Sequence, residues 1–181
     1  MKYKTYNVQP KKKIVNRKRT EMLILHCTAT KEGEPFSCDD VDKMHKAKGW
    51  SCIGYNWYID LDGKIWEARG TDAVGAHCSK YNYISCGICY CGGLDKNGKS
   101  KNTLTDEQKQ SLFELVEYLL NKYSLTISDV YGHRTFAKKD CPCFTNEWFR
   151  TEYQIWKNNK YSKENERNAD RVPYVYFTKT K

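Results

Sequence analysis

A chain of 181 residues, 39% apolar and 29% charged, is long enough to bury one core and too apolar to stay disordered. No run approaches the roughly 18 consecutive apolar residues that a membrane helix needs, so no helical membrane span is expected. The formal charge of +9 sits at the two ends: residues 1–20 hold eight Lys/Arg and no acid, residues 157–181 hold seven against three, and residues 21–156 hold 16 against 19. A basic folded face would suggest a nucleic-acid groove. Basic ends on a slightly acidic body suggest steering toward any polyanion, or simple solvation, so no specific nucleic-acid partner is expected. The chain therefore divides into a basic leader (1–20), a folded body (21–156) and a basic tail (157–181). No apolar stretch follows the charges of the leader as it would in a secretory signal, and the nine cysteines are read as thiols made in a reducing cytosol.

In chain order, the leader has no assigned element beyond an extended piece that could lie along the body. Met22-Leu23-Ile24-Leu25-His26-Cys27 reads as a strand. Ser37 with Asp40 three residues on forms a capping box, and Val41, Met44 and Ala47 follow at helical spacing until Gly49. His45 on that helix is read as a surface or packing histidine. Tyr55 to Ile59 alternates as a strand, and Asp62-Gly63 before Lys64-Ile65-Trp66 signals a hairpin. Thr71 to Asn82 is a loop, Ile84 to Cys91 a buried central strand, and Gly92 to Asn102 a polar loop. Thr105 with Gln108 opens a helix ending near Tyr123, on which Leu112, Leu115, Val116 and Leu119 mark one face. Leu125, Ile127, Val130 and Tyr131 read as a strand, and Asn146 to Trp156 as a last helix. The apolar patch at 172–177 could dock on the body. The expected fold is α/β: a single domain with a mixed central sheet flanked by helices.

The loop after the last strand carries His133 and Cys141, nitrogen and sulfur ligands that suit zinc. His26, at a strand end, is a candidate third ligand. Taken singly, each has a plainer reading: a strand cap, a buried hydrogen-bonded histidine, a core cysteine. Cys86, Cys89 and Cys91 invite a second metal reading. A strand, however, sends Cys89 and Cys91 to one face and Cys86 to the other, so they are read as small buried hydrophobes.

Five fragments in order, His26-Cys27-Thr28-Ala29-Thr30, Ile53-Gly54-Tyr55-Asn56-Trp57, Val74-Gly75-Ala76-His77, Gly132-His133 and Lys139-Asp140-Cys141-Pro142, resemble the signature of the type 2 N-acetylmuramoyl-L-alanine amidases. That family includes phage lysozyme-type amidases and peptidoglycan recognition proteins. The resemblance implies a Zn2+ cofactor on His26, His133 and Cys141. It makes Tyr55 and Lys139 the groups beside the metal that stabilise developing charge and help proton transfer, and it puts His77 at the rim, where it would bind the substrate's peptide stem. Many family members have an aspartate where this chain has Cys141; the cysteine is similar to the phage and recognition-protein branch. The resemblance makes residues 21–156 a zinc amidase domain that cleaves the bond between the lactyl group and L-alanine in peptidoglycan. A phage or prophage endolysin is the implied role: a monomer, cytoplasmic when synthesised, acting on the cell wall after release. The alternative it leaves is a non-catalytic peptidoglycan-recognition module, a branch in which the cysteine ligand is usually lost.

Overall fold

The structure, a computed structural model, describes residues 1–169. Among the described residues the chain forms a six-stranded mixed sheet, a two-stranded sheet and three α-helices. The strands of the large sheet are β1 (Lys4–Thr5), β2 (Met22–Cys27), β4 (Trp57–Ile59), β5 (Ile65–Glu67), β6 (Ser85–Tyr90) and β8 (Val130–Gly132), in the spatial order β1-β5-β4-β6-β2-β8. The small sheet pairs β3 (Thr30–Lys31) with β7 (Gly93–Leu94). The helices are α1 (Cys38–Ala47), α2 (Asp106–Tyr123) and α3 (Asn146–Ala169). The expected α/β architecture, one mixed sheet flanked by helices, is the one observed.

β4, β6 and β2 run parallel in the middle of the sheet, with β8 parallel to β2 at its edge, and β2 and β6 are buried nearly throughout because both faces are covered. On one face Leu23, Leu25, Cys86 and Ile88 pack against Leu112, Leu115 and Phe113 of α2 and Phe149 of α3. On the other, Tyr58, Cys89 and Cys91 pack against Val41 of α1 and Ile53. Cys86 thus faces away from Cys89 and Cys91, as strand alternation requires, and all three lie in apolar cores. Both expected capping boxes form, Ser37 with Asp40 and Thr105 with Gln108.

Four local expectations need correction. Tyr55 precedes β4, because the buried side chain of Asn56 takes over the bonding of this stretch. Its Oδ1 accepts from the Gly87 N–H (2.9 Å), and its Nδ2 donates to the carbonyls of Gly70 and Ala73. The stretch before β8 is a 3-10 turn, Ile127–Asp129, held by Asp129, which accepts from the Thr126 N–H and hydroxyl. Gly93–Leu94, in the expected loop, pairs with β3. The last helix runs past Trp156 to Ala169. The patch at 172–177 lies outside the described residues.

The first twenty residues are tied to the body. β1 extends the sheet beside β5, and Asn16 bridges to Ala73. Arg17 is buried: its guanidinium donates to the carbonyls of Ala73 and Thr71 and to Thr20 Oγ1. Opposite it, α1 grips the approach to Tyr55. Buried Asp42 accepts from the Ile53 N–H (2.6 Å) and His45 Nδ1 from the Gly54 N–H (3.0 Å). His45 is therefore a packing histidine, wedged between Trp50 and Tyr55.

Two outcomes follow from these anchors. Arg17→Ala removes two charge-assisted hydrogen bonds, leaving the Ala73 carbonyl to Asn56 and the Thr71 carbonyl to Tyr123, and should lower the urea-unfolding free energy by about 2 kcal/mol, whereas Arg19→Ala, exposed beside Glu21, should change it by less than about 0.5 kcal/mol. Burial, then the charge of Lys48, pushes the His45 pKa down to about 4. Its contribution is fully present above the unfolded value near 6.5 and is lost as pH falls toward about 4, in total about 3 kcal/mol. Near pH 5, where unfolded His45 is charged and folded His45 neutral, unfolding of His45→Gln should take up nearly one proton fewer than the parent; equal slopes of stability against pH would refute this account.

Candidate metal centre

β2 delivers His26 on the α1 face near the end of the strand, and β8 ends one residue before His133, so two imidazoles from neighbouring parallel strands meet with ring centroids 4.5 Å apart. The loop then folds back on itself. The Arg134 N–H donates to the Cys141 carbonyl (2.7 Å), and the Cys27 N–H donates to Cys141 Sγ (3.3 Å). Gly132 permits this return, since a Cβ there would lie 2.7 Å from Pro142 Cδ. At the start of α3, Asn146 Oδ1 takes the Gly132 N–H (2.7 Å) and fixes the strand end.

The structure brings His26, His133 and Cys141 together, with one ligand atom from each lying within 4.8 Å of the others. Cys141 Sγ is 3.8 Å from His26 Nδ1. Zinc bonds of about 2.1 Å to nitrogen and 2.3 Å to sulfur in a tetrahedron separate such atoms by about 3.6 Å, so the trio fits.

The hydrogen-bond directions agree. Ser85 Oγ donates its one proton to the Tyr81 carbonyl (2.7 Å) and can only accept from His77 Nε2 (3.5 Å). His77 Nδ1 is then the bare nitrogen and accepts from His26 Nε2 (3.0 Å). That leaves the His26 Nδ1 lone pair aimed at Cys141. Both imidazoles stay neutral: burial, then Arg17, pushes His77 down to about 3, and burial, then His77 and His133, holds His26 well below the usual range. Burial, then Lys139, also lowers His133. Cys141 is lowered by its hydrogen bond from Cys27, and Cys27 is raised to about 12 by the same bond, so the thiolate of the pair is Cys141.

The placement of His77 corrects the expectation of a rim position. It is 8% exposed and stands behind His26 because two glycines open a seat there: a Cβ at Gly87 would meet the ring at 2.5 Å, and one at Gly75 would overlap it outright. Asn82 Oδ1 accepts the N–H groups of His77 and Cys78 and fixes the loop. Gly87 was the available signal, since a lone glycine inside a buried strand marks close approach. Ser85, Asn82 and Asn56 carried none.

Tyr55 lies beside the trio, its ring 5.1 Å from that of His26, and burial, then the neighbouring Cys89, raises its hydroxyl so that it remains a donor. Lys139 is exposed on the loop, close enough for its charge to act on His26, His133 and Cys141.

The sequence pattern of the Amidase_2 family, N-acetylmuramoyl-L-alanine amidase, matches residues 16–144. The endolysin of Enterobacteria phage T3 is 38% identical over 128 residues, 71% of this chain and 83% of that protein. Peptidoglycan-recognition protein SC2 of Drosophila melanogaster is 34% identical over 113 residues, 62% of this chain and 57% of that one. The solved N-acetylmuramoyl-L-alanine amidase LysC from Clostridium intestinale URNW superposes with a TM-score of 0.73 at 29% identity, covering 85% of this chain and 98% of that one. Since the family pattern spans most of the chain and the fold is shared with a solved amidase, this chain belongs to the N-acetylmuramoyl-L-alanine amidase family and is a peptidoglycan amidase.

Proposed function

We propose that the chain is a zinc-dependent endolysin of phage or prophage type that hydrolyses the amide between the muramic lactyl group and L-alanine. The observation that carries this reading is the proton order from Ser85 through His77 to His26, which leaves one bare imidazole nitrogen facing a thiol of lowered pKa. His26, His133 and Cys141 would hold the ion. When bound, zinc supplies a Lewis acid that polarises the scissile carbonyl and lowers the pKa of a water molecule toward about 7.

The chain's own residues do the rest. The Tyr55 hydroxyl, kept protonated by burial, donates to the carbonyl oxygen as negative charge gathers on it. The Lys139 ammonium, on the open side, stabilises the same charge and can pass a proton to the leaving amine of L-alanine. His77 orients His26 through its ring nitrogen, the role an outer partner plays toward a ligating histidine. The substrate partner is the muramoyl peptide of the wall. We place the protein as a monomer made in the cytoplasm that reaches the wall after release.

Three measurements test this. Mass spectrometry of sacculi incubated with zinc-loaded protein should show stem peptides with a free L-alanine amine and glycans with bare lactyl groups, both lost on chelation. Tyr55→Phe or Lys139→Met should reduce turnover by about two to three orders of magnitude with metal content unchanged. A wall bound yet uncut, with one zinc per chain, would instead make this a recognition module. In a competition titration against a chromophoric chelator, His77→Gln should weaken zinc binding by about 10- to 100-fold. Unaltered affinity would remove His77 from the metal's support.

A further inference from the structure

The nine cysteines are free, and Cys27 Sγ and Cys143 Sγ stand 3.7 Å apart, across 116 residues of sequence. Cys27 is the last residue of β2, and Cys143 follows the ligand loop just before α3. The period of two along β2 sends His26 to the α1 face and Cys27 to the opposite one, where Cys143 packs against the core shared by α2 and α3. Cys141 also contacts the Cys27 side chain, but its Sγ is held on the Cys27 N–H (3.3 Å) and faces His26 Nδ1 (3.8 Å).

Gly93 makes room for the pair. A Cβ there would stand 2.5 Å from Cys27 Sγ and 3.4 Å from Cys143 Sγ. A disulfide needs about 2.05 Å between sulfurs, so the two must close by less than about 2 Å. Cys143 is half-exposed, within reach of a small oxidant, while Cys27 is buried behind it.

We infer that Cys27 and Cys143 form a reversible disulfide in the presence of a low-molecular-weight disulfide such as oxidised glutathione. The bond staples the strand bearing His26 to the segment bearing Cys141 and leaves the Cys141 thiol untouched. The Cys143 thiolate attacks one glutathione sulfur, forms a mixed disulfide and expels one glutathione thiolate. Cys27, deprotonated to solvent, then attacks Cys143 Sγ; the protein S–S bond forms and the second glutathione leaves. Two protein thiols are oxidised, one glutathione disulfide is reduced to two thiols, and the two protons lost by the protein end on the glutathiones. The pairing stands apart from the reading of the active site, since it is measured on thiols and not on turnover.

The test is to expose the natively folded full chain to oxidised glutathione, count free thiols, and map the link without reduction. Trypsin releases 20–31, which holds Cys27, and 140–150, which holds Cys141 and Cys143; fragmentation at the Cys141–Pro142 bond tells the latter two apart. The expected result is loss of two of the nine thiols, a 27–143 link, and a Tm rise of about 10 °C that dithiothreitol reverses. Cys143→Ser should abolish link and shift, and Cys78→Ser should keep both. A link through Cys141, nine thiols surviving exposure, or an undiminished shift in Cys143→Ser would overturn the pairing.

Discussion

The hydrogen bond from His26 Nε2 to His77 Nδ1 settles which nitrogen of His26 is available, and much of the fold exists to hold it. It depends on Ser85 spending its proton on the Tyr81 carbonyl, on Asn82 fixing the loop, and on Gly75 and Gly87 leaving a ring-sized gap over the sheet. It also depends on His77 remaining neutral, which burial and the nearby charge of Arg17 enforce. A protonated His77 would have no lone pair to offer, and His26 would lose the partner that holds its tautomer.

Arg17 links this site to the part of the chain that composition alone assigns to a solvated leader. The charge count of residues 1–20 is correct, yet the residues do different things: Lys12 and Lys13 are exposed, while Arg17 is buried against the carbonyls of Thr71 and Ala73. Those carbonyls flank the loop that carries His77, and Ala73 O also receives Asn56 Nδ2. One guanidinium and one carboxamide therefore fix the stretch between the β4–β5 hairpin and the site. A charge sum cannot separate an anchor from a solvated lysine, because burial is set by partners distant in sequence.

Much of the rest was legible, for identifiable reasons. Capping boxes at Ser37 and Thr105 act within four residues and so survive any tertiary context. Strand alternation separated Cys86 from Cys89 and Cys91, because a period of two holds wherever both faces are buried. His26, His133 and Cys141 were picked out by their order along the chain, and the parallel pairing of β2 with β8 brings them together. What escaped was set by side-chain hydrogen bonds over long sequence separations. Asn56 displaced the start of β4, Asp129 turned an apparent strand into a 3-10 turn, and two glycines drew His77 inward. None of these follows from apolar periodicity, which records which face is buried and not which polar group is satisfied there.

Of the nine thiols, Cys141 is the one brought together with the imidazoles of His26 and His133, and the local field sets it apart. Cys27, Cys141 and Cys143 crowd one corner, but only Cys141 receives the Cys27 backbone N–H and faces an imidazole lone pair. Cys27 and Cys143 sit on the far side of the strand against apolar side chains; the hydrogen bond with Cys141, then burial, pushes Cys27 up, and the contact with Cys27, then burial, pushes Cys143 up. The Cys27 side chain, then its backbone N–H, lowers the Cys141 thiol, while the same side-chain bond raises Cys27. The same alternation along β2 that points His26 toward Cys141 turns Cys27 to the opposite face, so which thiol meets the imidazoles is a property of the strand's pleat as much as of the loop that carries Cys141.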